Sequence, residues 1–148
     1  MIWFVNRKMQ EKSPQKCEIQ IKHQGKEIRV KALIDSGNLL KDPISQLPVI
    51  IVEKEKLKEL VDSYFLENMD VILKGEWLVE NNTAKPQQNF VLIPFRSLGN
   101  DHGLLIGFKP DKIELQIENR YFKKEAIIGI YPGRLSGKKE EYQAIVGL

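Results

Sequence analysis

Apolar and polar residues alternate along much of this chain, and a period of two is the signature of half-buried strands. Cys17, Ile19 and Ile21 are separated by polar residues, and so are Ile28, Val30, Ala32 and Ile34. His23-Gln24-Gly25-Lys26 lies between the two runs and predicts a turn, hence a hairpin with one buried face. Pro48-Val49-Ile50-Ile51-Val52 predicts a buried strand. The period then changes: Leu57, Leu60, Val61 and Tyr64 recur at helical spacing with Lys and Glu on the other face, which predicts a helix. Short apolar runs follow at residues 71–73, 90–93, 104–108, 113–117 and 126–130. Tyr142, Ile145 and Val146 predict a terminal helix, and Asn81-Asn82-Thr83-Ala84-Lys85-Pro86 a polar loop. No internal repeat or low-complexity tract breaks the pattern. It describes a mainly β domain with one or two short helices.

Length and composition narrow the chemistry. The chain has 148 residues and 42% hydrophobic content, enough for one domain with a real core, assigned to residues 16–148. The 23 basic and 20 acidic side chains leave a net charge of +3, scattered among acids such as Glu53, Glu55 and Glu59. That balance does not describe a nucleic-acid surface. A lone Cys17 rules out an internal disulfide framework, and with only His23 and His102 beside it no structural zinc site is expected. No metal or other cofactor is called for. No run reaches the roughly eighteen apolar residues that span a bilayer. Residues 1–15 nevertheless begin Met1-Ile2-Trp3-Phe4-Val5, followed by Asn6-Arg7-Lys8. Two readings stand: a frayed start, or the cytoplasmic end of a membrane helix, since basic residues favour that side. A secretory signal would carry its charge before the apolar run, not after it.

The informative feature is the end of the second strand, Ala32-Leu33-Ile34-Asp35-Ser36-Gly37. Asp, Ser and Gly are all natural turn residues. The apolar run immediately before them, however, carries Asp35 out of the core, where a carboxylate needs partners or a shared proton. Two carboxylates about 3 Å apart share one proton. The ionised oxygen can then activate water while the protonated one polarises a peptide carbonyl. Ser36 would fix the surrounding backbone through its hydroxyl, and Gly37 permits a close turn. One chain holds only half of such a pair, so a second copy about a twofold axis would supply the other.

Ile34-Asp35-Ser36-Gly37-Asn38-Leu39, then Lys41-Asp42-Pro43 and Pro48-Val49-Ile50-Ile51-Val52-Glu53, resembles the protease domain of the sporulation sigma-E factor processing peptidase family. Ile93-Pro94-Phe95-Arg96-Ser97-Leu98-Gly99 and Gly103-Leu104-Leu105-Ile106-Gly107-Phe108-Lys109-Pro110-Asp111 extend the likeness. Ala126-Ile127-Ile128-Gly129-Ile130 is similar to the hydrophobic-hydrophobic-Gly motif of retroviral-type aspartic proteases. The resemblance implies a retroviral-type aspartic protease barrel, active as a homodimer with Asp35 as the catalytic acid. It implies a sigma factor precursor as substrate, from which an N-terminal prosequence is removed. It also implies regulation by a secreted forespore signal protein, and a place on the cytoplasmic face of the cell membrane at the mother-cell side of the sporulation septum. A multi-span membrane half belongs to that pattern and is not in this sequence; without it the protein would be cytoplasmic.

Other candidates have duller readings. Asp42 before Pro43 and Asp111 after Pro110 read as turn residues. Gly129 reads as a strand glycine packing beneath the Asp35 loop. The segment Gly99, Asn100, Asp101, His102 and Gly103 joins two apolar strands and suits either an ordinary hairpin tip or a mobile substrate flap, with the Trp77 region as a rival flap. Cys17 reads as a small buried apolar residue, and Arg96 as part of a solvated face. A non-catalytic β-barrel interaction module is the alternative to the enzyme.

Overall fold

The computed structural model describes residues 15–74, 89–97, 100–136 and 141–147. The apolar start, the polar loop at residues 81–86 and the Trp77 region lie outside these. β1 (Lys16–His23) and β2 (Lys26–Ile34) form the predicted hairpin. Its two turn residues, Gln24 and Gly25, both take positive φ (50° and 79°), the geometry that matches strand twist across a two-residue loop. Cys17, Ile19 and Ile21 face inward beside Ile28, Val30 and Ala32, as the alternation requires. β3 (Val49–Glu53) is buried along its whole length.

The segment after β3 departs from the single predicted helix. It makes a 3-10 turn (Lys54–Leu57), then α1 (Ser63–Glu67) and α2 (Met69–Leu73). Asp62 breaks the helix by starting a new one, its carboxylate accepting the Tyr64 N–H at 3.0 Å. Leu57, Leu60 and Val61 are buried as expected, whereas Tyr64 is half exposed. The short apolar run at 71–73 belongs to α2. The other runs are strands: β4 (Val91–Ser97), β5 (Asn100–Phe108), β6 (Lys112–Ile117) and β8 (Ile127–Tyr131), with β7 (Arg120–Lys123) pairing β6. The predicted terminal helix is instead β9 (Ala144–Val146), a fully buried strand.

The nine strands form one sheet in the order β4-β5-β8-β3-β9-β2-β1-β6-β7. It is open, with β4 and β7 as its edges. β9 runs parallel to β2 and antiparallel to β3, so it joins two four-stranded halves. Apolar clusters lie on both faces. Ile50 and Val52 of β3 join one with Phe65, Leu66, Ile106 and Ile128. Val49 and Ile51 join the other with Leu33, Leu105, Tyr142 and Ile145. Burial on both faces explains why β3 is apolar from Val49 to Val52. It also explains the end of β2, where Ala32 and Leu33 are both buried as the strand passes beside β9. Among the described residues no helix is long and apolar enough to cross a membrane.

Candidate active site around Asp35

Asp35 is the first residue past β2, and the fold fixes it through its backbone. Its N–H donates to the Val146 carbonyl at 2.8 Å, continuing the β2–β9 pairing by one rung. Its carbonyl accepts the Asn38 N–H at 3.0 Å, closing a turn over Ser36 and Gly37. Asn38 pins the far side of that turn to β3: its Nδ2 donates to the Val49 carbonyl at 3.3 Å, and its Oδ1 accepts the Leu40 N–H at 3.2 Å. A side chain at Gly147 would collide with the Asn38 carbonyl, so the strand end and the turn pack backbone to backbone.

The Asp35 carboxylate is 1% exposed. Oδ1 accepts the Gly37 N–H at 2.9 Å, while Oδ2 is buried with no hydrogen-bond partner among the described residues. An unpaired buried carboxylate oxygen is costly, and folds keep such costs chiefly where function needs them. Ser36 beside it is exposed, and its hydroxyl makes no hydrogen bond among the described residues. The turn thus offers one carboxylate oxygen without a partner among the described residues, and next to it an exposed serine.

Gly129 is not beneath this turn. It sits in β8, separated from β2 by β3 and β9, and pairs with Ile51 and Gly107. A Cβ there would press on the Val49 side chain at 2.9 Å, so it meets the Asp35 turn only through Val49, whose carbonyl accepts from Asn38. The glycine that supports the turn is Gly147, at the end of a second apolar-apolar-Gly run, Ile145-Val146-Gly147. That run was the available signal. Asn100, Asp101, His102 and Gly103 belong to β5, whereas Gly99 lies outside the described residues. In the ladder, β5 meets β8 through Ile106 to Phe108, so the β4–β5 tip projects past the end where β3 finishes. Asp35 stands at the end where β3 begins.

Asp42 is also buried, but it spends its carboxylate on its own turn. It accepts the Ile44 N–H at 3.3 Å, the Ser45 N–H at 3.2 Å and the Ser45 hydroxyl at 2.7 Å. The Ser45 hydroxyl, ahead of the backbone N–H groups, holds it below the usual Asp range. Asp111 likewise serves a turn, accepting the Gln24 N–H at 2.8 Å. Burial pushes the Cys17 thiol up to about 11, so it stays protonated and inert at neutral pH. Arg96 is exposed. Glu53, which the sequence pattern did not single out, is buried and accepts the Leu135 N–H at 2.8 Å, tying the segment before β9 to β3. Among the described residues no group of three His, Cys, Asp or Glu could hold a metal ion.

Against known proteins, the profile of a family described as sporulation factor SpoIIGA, a peptidase family, matches residues 1–147. The sporulation sigma-E factor-processing peptidase of Priestia megaterium is 32% identical over 123 residues, covering 80% of this chain and 38% of that protein. The peptidase of the same name from Bacillus subtilis is 29% identical over 123 residues, covering 80% of this chain and 39% of that one. A third relative, from Bacillus thuringiensis and by name a sporulation sigma factor-processing peptidase, is 31% identical over 132 residues, covering 88% of this chain and 80% of its own length. The chain therefore spans less than half of the first and second of these. No solved structure matches it.

Proposed function

The chain belongs to the sporulation factor SpoIIGA family of peptidases, and on that premise we propose that residues 16–148 are an aspartic endopeptidase domain acting as a homodimer. Asp35 from each of two copies forms the catalytic pair. One carboxylate takes a proton from water, which attacks the scissile carbonyl. The other, protonated, hydrogen-bonds the carbonyl oxygen as it gains charge. The resulting tetrahedral species collapses when the amine leaves with a proton from the pair. Each protomer is a half of a retroviral-type barrel, and the exposed Ser36 hydroxyl finds its partner across the twofold axis. The substrate is a sporulation sigma factor precursor, shortened at its N-terminal prosequence on the cytoplasmic side of a membrane. A secreted forespore signal protein acts through a separate membrane half.

The observation that carries this reading is the Asp35 carboxylate itself, with Oδ2 buried and unpartnered on a turn braced by Val146 and Asn38. Co-expression of this chain with a sigma factor precursor tests it. The precursor is expected to shorten, and Asp35→Asn to abolish shortening by at least about 10²-fold. An excess of Asp35→Ala chains should poison the wild type by forming half-pairs. Undiminished cleavage by Asp35→Asn, or an active species that sediments as a monomer at every dilution, overturns the aspartic pair; a precursor that stays full-length with the wild-type chain favours the interaction-module reading.

A further inference from the structure

Two consecutive N–H groups grip Asp35: that of Gly37 on the carboxylate and that of Asn38 on the carbonyl. The second belongs to a residue whose side chain is itself clamped. Asn38 is 6% exposed and meets three strands at once. Its N–H reaches Asp35 at the end of β2, its Nδ2 reaches the carbonyl of Val49 at the start of β3, and a Cβ on Gly147, just past β9, would collide with its carbonyl. The side-chain bonds need opposite polarity at its two tips. The Val49 carbonyl can only accept and the Leu40 N–H can only donate, so the amide has a single orientation, with Nδ2 toward Val49 and Oδ1 toward Leu40. A hydroxyl is one atom and cannot span both partners, and an ionised carboxylate has no donor.

We infer that Asn38 is a positioning residue for the proposed cleavage: its amide fixes the turn that holds the Asp35 carboxylate at one angle to the scissile carbonyl. This rests on the peptidase reading of Asp35. Asn38 acts through Asp35 and does not touch substrate, so its loss falls on kcat and leaves KM. A displacement of about 1 Å in a reacting group can cost about 10²-fold in rate.

Asn38→Asp is nearly isosteric, and its two protonation states differ in the property that matters. The acid form carries an O–H for the Val49 carbonyl and an oxygen for the Leu40 N–H. The ionised form loses the donor and adds a negative charge to the turn that carries Asp35. Of the contacts named for Asn38, Asp35 alone titrates; Val49, Leu40 and Gly147 do not.

Steady-state cleavage of the purified precursor across pH, by wild type, Asn38→Asp, Asn38→Ser and Asp35→Asn, tests the inference, with melting temperature and sedimentation recorded for each chain. Asn38→Asp is expected to approach wild-type kcat on the acid side and to fall about 10²-fold below it as pH rises, at unchanged KM. Asn38→Ser, which carries no charge, should lose kcat about tenfold at every pH, and it decides the matter if ionised Asn38→Asp unfolds. Wild-type kcat in Asn38→Ser, even with a lowered melting temperature, makes Asn38 structural and overturns the inference. So does a kcat ratio of folded Asn38→Asp to wild type that ignores pH, a loss confined to KM, or a loss that tracks dissociation of the dimer. Each of these, with Asp35→Asn inactive, leaves the peptidase standing. Cleavage by Asp35→Asn overturns the peptidase reading and this one with it.

Discussion

Asp35 and Asp42 lie seven positions apart, both buried to within 2% of full burial, yet the fold treats them oppositely. Asp42 is surrounded by donors from its own turn, and both of its oxygens are used. Among the described residues Asp35 receives one N–H at Oδ1 and none at Oδ2. A turn motif that satisfies its carboxylate stabilises a loop. One that leaves a buried oxygen without a partner among the described residues carries a cost that the turn does not repay. The difference lies in the residues just after each acid: Ser45, three positions on, supplies two donors to Asp42, whereas Gly37 supplies only its backbone to Asp35.

Substitution of Asp35 by Asn breaks the comparison most sharply. Asp35→Asn should remove activity by orders of magnitude while leaving the melting temperature unchanged or raised, because the Asn carbonyl oxygen can still accept the Gly37 N–H and the buried charge is gone. A large fall in melting temperature would show Asp35 to be structural. Next in size is Gly147→Ala, whose new methyl group meets the Asn38 carbonyl. Overpacking of that kind costs about 1–3 kcal/mol, and here it should also displace the Asp35 turn. Activity should therefore fall further than for Gly129→Ala at matched stability. Equal losses in the two variants would mean that the Gly147 contact does not reach the carboxylate.

Asp42→Ala should cost about 1 kcal/mol through its lost turn bonds, and the cost should depend on pH. The folded carboxyl titrates below its ordinary value near 3.8, so its stabilisation is present above that value and is lost as pH falls through the lowered one. Denaturation of wild type and variant should give a gap that is constant at neutral pH and closes in this acid window. A gap independent of pH would assign the effect to shape instead of charge. Smallest is Ser36→Ala. In the isolated protomer its hydroxyl makes no described bond, so stability should be unaffected; dimer affinity should weaken and Ser36→Thr should retain it. Equal dimer affinity of the Ala and Thr variants would make the hydroxyl incidental.

The first hairpin, β3 and the Asp35 turn could be read from sequence because their signals are local: alternation, a continuous apolar run, and an acid placed after it. β9 could not. Tyr142, Ile145 and Val146 fall at helical intervals by coincidence, and a strand of three residues is too short to show a period of two. Its identity comes from the slot between β2 and β3, a tertiary fact. The same limit misplaced the supporting glycine. Ile127-Ile128-Gly129 and Ile145-Val146-Gly147 are alike as strings, and only strand order separates them. The helix predicted through Tyr64 failed for a local reason that was present in the sequence, the capping Asp62.

β9 carries a further consequence, in time instead of space. Among the described residues it is the one ladder connection between the β4-β5-β8-β3 half and the β2-β1-β6-β7 half, and it pairs with residues most of the chain away. Such long-range pairings form late, after local hairpins have closed. A nascent chain can fold both halves while the Asp35 N–H has no Val146 carbonyl to meet. On the proposed function, the Asp35 turn is complete only once β9 is in place. If the proposed function holds, a chain cut before Ala144 is expected to be inactive even where its hairpins form.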